Sequence, residues 1–203
     1  MISLFPANAS GDVNISVSAD ESLDQPLAVL HQLLHQRSKP DGQPHLCLAD
    51  YVAPRETGIR DYVGAFAVTA GLGAERRVAA FQRANDDYSA ILLKALADRF
   101  AEAGAEYLHE QVRRQHWGYA PAEALDCAAL IAESYRGIRP APGYPACPDH
   151  TEKATLWRLL DADRNAGIVL TEGYAMMPPA SGSAWYLPHP EAQYFAVGRI
   201  GRD

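Results

Sequence analysis

Asp98, Glu102 and Glu106 recur every fourth residue in DRFAEAGAE, so a helix would stack three carboxylates on one face. Each like-charged pair at that spacing costs about 0.2–0.5 kcal/mol. A bound cation would offset the cost, and so would a solvated face relieved by Lys94, Arg99 and Arg113. A further carboxylate, Glu133, lies just ahead of RPAPGYPACPDHTEK, residues 139–153. There Pro140, Pro142, Pro145 and Pro148 each fix φ and remove a donor, which holds the chain extended and out of helix. The remaining N–H groups, those of Ala141, Gly143, Tyr144, Ala146 and Cys147, are then available to a ligand at little ordering cost. Gly143 has no Cβ to keep a ligand off the backbone, and Tyr144 offers a flat ring. A rigid surface loop would have the same composition. Read together, the carboxylates and the proline ledge suit a cationic, partly apolar ligand.

WYLPHPEAQYFAVGRI crowds Trp185, Tyr186, Tyr194 and Phe195 around His189. Trp185 and Phe195 are expected to cover a sheet, and Tyr194 is the aromatic left open to a ligand role. His189 has no second His or Cys at ligand spacing, which argues against a metal. GxSxG, HExxH, the Walker phosphate loop and GxGxxG are all missing, and SGS at 181–183 is too short to stand for a nucleophile elbow.

The elements that must position these groups read as one α+β domain. ISLFPA and Val13–Val17 form strands around a turn at Asn8–Asp12, and PLAVLHQLLHQR, with leucines at 27, 30, 33 and 34, predicts a helix. LCLADYVA (46–53) and YVGAFAVTA (62–70) suit buried strands. From Ala74 to about Trp117 there is no proline, and apolar residues spaced three and four apart predict one long helix, kinked near Asn85. Leu125–Tyr135 predicts a helix capped by Asp126; Asp149 with Glu152 matches a capping box for a helix through Leu160, ending near Gly167. Strands are expected at 168–171 and 194–200, with irregular chain between them.

In 203 residues, 48% hydrophobic and 21% charged, there is enough apolar material for a real core, which excludes disorder. A net charge of -7 argues against nucleic acid as a partner. Cys47, Cys127 and Cys147 lack disulfide or zinc spacing, and no apolar run approaches membrane length, so a reduced, cytoplasmic setting without membrane contact is expected.

DYVGAFAVTAGLG, DDYSAILLKALADRFAEAGAEYLHEQVRRQHWGYAP, YRGIRPAPGYPACPDHTEKATLWRLLDA and LTEGYAMMPPASGSAWYLPHPEAQYFAVGRI resemble, in order and separation, the activation domain of cobalamin-dependent methionine synthase. The resemblance runs from about Ser3 to the C terminus, and RPAPGYPACPDHTEK is its most specific motif. It implies a single α+β domain with a twisted, mainly antiparallel sheet, a long central helix and flanking helices. It also implies that S-adenosylmethionine binds here and that the domain docks over a cobalamin-binding domain, in cis or in trans. An electron from a flavodoxin-like or other reductase, with the methyl group of S-adenosylmethionine, would then return cob(II)alamin to methylcobalamin.

Carried over residue by residue, the ledge that binds the ligand would be Arg139, Ala141, Gly143 and Tyr144, chiefly through backbone groups, joined by Tyr194. Glu102 and Glu133 match carboxylates near the ligand's charged end. Asp98 matches a position that takes up the histidine released from cobalt, and Tyr144 would face the corrin. Compared with the family, the chain is expected to lack additional N-terminal helices with an IDWTPFF-like motif and a C-terminal helix, and to contain no homocysteine, folate or cobalamin domain. The expected function is a reactivation module, part of a methyltransferase. The alternatives are a docking module with weakened ligand binding and, fitting poorly, a metal-dependent hydrolase. On the reactivation reading Gly143→Val should block the ligand and leave the fold intact.

Overall fold

In the computed structural model, which describes residues 1–199 apart from Asp12 and Asp41, five antiparallel strands lie in the order β3-β2-β1-β4-β7. They are β1 (Ile2–Ser10), β2 (Asn14–Ser18), β3 (Pro26–His31), β4 (Tyr62–Thr69) and β7 (Ser181–Tyr186). A two-stranded ribbon, β5 (Val169–Leu170) with β6 (Met176–Met177), lies apart from them.

β4 is the apolar run YVGAFAVT, and both of its faces are covered. On one side Val63, Ala65 and Ala67 join Trp185 and the buried residues Leu156, Trp157 and Leu160 of α4 (Glu152–Leu160). On the other, Phe66 stacks on Tyr186 with ring centroids 4.9 Å apart, beneath α2 (Asp87–Gln111). The remaining helices are α1 (Ala74–Arg83), α3 (Cys127–Ile131) and α5 (Ala162–Ala166).

Antiparallel sheet, central helix and flanking helices agree with the expected class, but several local expectations do not hold. PLAVLH is strand β3, not helix: Ala28 and Leu30 are buried while Leu27 and Val29 are exposed, and Leu30 pairs with Ile15. The continuous apolar run at 27–30 is compatible with a helix or a strand, and pairing with β2 decides between them. LCLADYVA is no strand; Leu48–Tyr51 form a 3-10 turn in which Asp50 Oδ2 accepts from Cys47 N at 2.8 Å. Residues 194–199 are not a strand either, although Val197 N donates to Pro145 O at 2.8 Å, and Ile200 lies outside the described residues. Within the stretch expected to be irregular lie β6 and β7; the Ser-Gly-Ser start of β7 reads as loop although its last four residues, Ser183–Tyr186, are buried.

The long helical stretch is two helices. Asn85, at φ +56°, breaks it, and Asp86 caps α2 by accepting from Ser89 N at 3.0 Å. After Gln111 the helix continues as one wider π turn, Val112–His116. Its core face is made mainly of small residues: Ala90, Ala97, Ala101 and His109 are buried, whereas Tyr88, Ile91, Phe100 and Tyr107 are exposed. Small residues let α2 lie close to the sheet, and a Cβ on Gly104 would sit 3.4 Å from Val68 Cγ2. Near the C-terminal half, α3 is shorter than expected but is capped by Asp126 Oδ1, which accepts from Ala129 N at 2.8 Å. No capping box opens α4, because Asp149 bonds to Thr151 and Glu152 is buried.

Gly64 marks the tightest approach within the sheet, where a Cβ would lie 2.9 Å from Tyr186 Cβ and 3.2 Å from Leu4 Cδ2. Gly64→Ala is therefore expected to cost about 1–3 kcal/mol through overpacking, read as a lower midpoint in urea unfolding. An unchanged midpoint would mean that β4 and β7 part easily.

Candidate functional site

Residues 138–140 anneal to the free edge of β7. Ile138 and Leu187 exchange backbone hydrogen bonds of 3.0 Å, and Trp185 N donates to Pro140 O at 3.0 Å. The proline segment thus extends the sheet by a short sixth strand and then turns away. A pair of bonds holds the turn: Gly143 N donates to Cys147 O at 2.7 Å and Cys147 N to Tyr144 O at 2.9 Å. Tyr144 N donates to Ala141 O at 3.2 Å. Of the five N–H groups expected to be free, those of Gly143, Tyr144 and Cys147 are engaged within the turn itself.

Between this ledge, α2 and the first residues of β7 lies a cleft of about 920 Å³. Its lining includes Asp98, Glu102, Glu133, Arg139, Ala141, Tyr144 and Tyr194, together with Phe66 and Ser181–Ala184. Gly143 is not part of it. Its backbone sits at φ +94°, and a Cβ there would fall into the His150 ring. Glycine is needed here for the turn and to leave room for His150.

The carboxylates differ in their surroundings. Glu102, exposed, pairs with Arg99 at 2.9 Å. Glu106 pairs with Arg139 across the cleft wall at 2.6 Å. Asp98 and Glu133 have no ion-pair partner among the described residues. Glu133 is brought to the cleft by a left-handed backbone, φ +52°, just past the end of α3. Arg113, expected to relieve the acidic face, is instead fully buried against Glu123 at 2.7 Å.

Arg139 does not offer its backbone donor, which goes to Tyr194 Oη at 3.0 Å. Burial works against its charge, but the Glu106 hydrogen bond and the neighbouring acidic groups outweigh this and hold its pKa above the ordinary value. Two residues of the wall escaped the sequence reading. His109 is fully buried between Tyr186 and Tyr135, and its Nδ1 is 3.1 Å from Arg139 Nη1. Burial first, then Arg113 and Arg139, push its pKa down to about 2. Lys153 is also buried and lines the cleft; Nζ donates to Tyr174 O at 3.2 Å, and burial lowers its pKa. The only sequence signal for His109 was its place one turn after Glu106's neighbours on α2, and that for Lys153 was its membership of the proline motif.

Among the described residues no three His, Cys, Asp or Glu side chains converge on a metal-sized site, and no helix is long and apolar enough to cross a membrane. The family described as "Vitamin B12 dependent methionine synthase, activation domain" matches residues 1–203. A crystal structure of the MetH reactivation domain bound to AdoHcy is 54% identical over 98% of this chain, with a TM-score of 0.94. This chain spans 61% of that one.

Two outcomes are expected from this geometry. Gly143→Ala should cost about 1–2 kcal/mol, since a side chain cannot adopt this φ cheaply even if His150 swings away. Gly143→Val should disturb the turn as well, so neither leaves the fold untouched; unaltered thermal unfolding would contradict the strain. Second, His109 is neutral when folded down to about pH 2 but takes a proton near pH 6.5 when unfolded. Its contribution is therefore complete above pH 6.5 and is lost as pH falls, by up to about 1.4 kcal/mol per pH unit. His109→Gln should flatten the fall in unfolding free energy between pH 6.5 and 4.5, measured by urea titration, and parallel slopes would refute the neutral imidazole.

Proposed function

Because the chain belongs to the vitamin B12 dependent methionine synthase activation-domain family, we propose that it is an S-adenosylmethionine-binding reactivation module that supports the return of cob(II)alamin to methylcobalamin. The observation that carries this reading is the convergence of carboxylates, a guanidinium and the proline ledge on one cleft large enough for a nucleoside-sized ligand. Similarity to a structure bound to AdoHcy supports the same ligand class.

The charge pattern suits this ligand. A sulfonium is a permanent cation, and Asp98 and Glu133, without internal partners among the described residues, leave the cleft with negative charge to meet it. Glu102 adds to this field less strongly because Arg99 shares it. Arg139 contributes through its side chain, which keeps donors for the ligand's carboxylate, and Ala141 through its backbone. Tyr194 braces Arg139 by accepting its N–H. Tyr144 and Asp98 are exposed at the cleft; on this reading Tyr144 would face the corrin and Asp98 would also take up the displaced histidine once the domains rearrange. Gly143 shapes the turn that carries Tyr144.

A reduced corrinoid supplies the nucleophile for the methyl group when it is docked. The chain's own residues hold the methyl donor in place, favour its cationic form over the neutral thioether product and exclude solvent from one side. The partners on this reading are a cobalamin-binding domain, in cis or in trans, and a flavodoxin-like or other reductase that delivers the electron, in the cytoplasm.

Calorimetric titration tests the reading. S-adenosylmethionine should bind saturably and more tightly than S-adenosylhomocysteine, and Glu133→Gln should reduce that preference by about two- to fivefold, as expected for a partly screened charge. Absence of saturable binding would overturn the ligand assignment and favour a docking module instead. A preference unchanged by Glu133→Gln would remove this carboxylate from the sulfonium's surroundings.

A further inference from the structure

Arg139 carries five N–H donors, and the wall of the cleft consumes three of them. Nη1 donates to His109 Nδ1 at 3.1 Å and to Tyr135 Oη at 3.2 Å, while Nη2 donates to Glu106 Oε2 at 2.6 Å. Nε–H and one Nη2–H remain. They sit on nitrogens of one guanidinium, as in side-on recognition of a carboxylate.

This arrangement dictates the state of His109. A guanidinium cannot accept a hydrogen bond, so Nδ1 must present a lone pair, and the ring proton must be on Nε2, 3.4 Å from Tyr119 Oη. The imidazole cannot tilt away, because it stacks on Tyr186 at 5.0 Å and meets Tyr135 edge-on at 4.9 Å. Glu106 acts differently. Its charge cancels that of Arg139, so the guanidinium brings donors into the cleft without a net positive field that would repel a sulfonium.

From this geometry we infer that Glu106 and His109 are positioning residues, which hold the Arg139 guanidinium in one rotamer and reserve Nε–H and one Nη2–H for the carboxylate of the bound ligand. The inference rests on the proposed S-adenosylmethionine site. A free arginine would lose its rotamer freedom on binding; here the loss is already met by folding. His109 does not line the cleft, and Glu106, which does, is assigned its role through Arg139.

The positioning effect falls on the carboxylate, and that separates it from a general structural role. In calorimetry on the full chain, the probes are S-adenosylmethionine and its decarboxylated analogue, which keeps the sulfonium, adenosine and amine. The unaltered protein should prefer S-adenosylmethionine by about tenfold or more, the range of a charge-assisted pair. His109→Phe keeps a ring and loses the acceptor; Glu106→Leu, at a half-buried position, does not depend on a buried replacement folding well. His109→Phe should weaken S-adenosylmethionine about tenfold and change the analogue by less than about twofold; Glu106→Leu, which also uncovers the guanidinium's charge, should weaken both probes but still narrow the preference for S-adenosylmethionine, while His109→Gln and Glu106→Gln, which retain acceptors, recover part of the loss. Equal weakening of both probes, or a preference unchanged in folded Glu106→Leu, would overturn the positioning role. If the unaltered protein binds both probes equally, the carboxylate is not held by Arg139 and the inference fails while the ligand site stands. If it binds neither, both fail.

Discussion

The bond network around Arg139 ties together side chains from four separate parts of the chain. Glu106 and His109 come from α2, Tyr135 from the segment after α3, Tyr194 from the C-terminal stretch, and Arg139 itself from the strand-like ledge beside β7. The ion pair with Glu106 is only half-buried, so its Coulombic gain is modest, whereas the contacts of Nη1 with His109 and Tyr135 are shielded by three aromatic rings. Removing one partner would leave a guanidinium donor or a carboxylate unpaired at the wall, and such loss costs more than forming the bond gains. The cleft's width, the ledge's direction and the charge left over for a ligand all depend on that network.

Its geometry also explains why α2 is built as it is. A helix lined with alanine and glycine on its inner side can lie directly on Phe66, Val68 and Ala184, and only then do Glu106 and His109 reach the ledge. Larger inner residues would thicken the layer and pull the two apart. Most of the large apolar residues of α2, though not Leu108, therefore fall on its outer side, a reversal of the usual amphipathic arrangement that the spacing of Tyr88, Leu92, Leu96 and Phe100 disguises.

That reversal marks the boundary of what was legible in the sequence. Periodicity tells that a segment is helical but not which face is buried when the buried face is made of small residues. In the same way, the apolar run in PLAVLH suited both a helix and a strand, and only pairing with β2, a contact between segments, resolved it. β7 was hidden because Ser and Gly are poor strand formers, although a neighbour on each side supplies the hydrogen bonds that propensity does not. By contrast, YVGAFAVT, the Asp126 cap and the break at Asn85 were legible because each is specified by local sequence alone. At the site, all the residues that motif resemblance named except Gly143 share the cleft, and local chemistry identified the carboxylates. Neither could show that Gly143 serves His150, or that Arg139 spends its backbone donor on Tyr194 and keeps its side chain.

The distribution of charge in the cleft then bears on how such a domain could discriminate between a substrate and its product. The two differ by one methyl group and one unit of charge, so shape offers little to distinguish them, and a hydrophobic pocket would accept both. On the proposed function, negative charge without an internal partner near the sulfonium would favour the charged donor, yet a bare guanidinium in the same cleft would cancel much of that field. Pairing Arg139 with Glu106 would remove this conflict: the carboxylate end of the ligand would be held by hydrogen-bond geometry and the sulfonium end by charge, so that the two do not oppose one another.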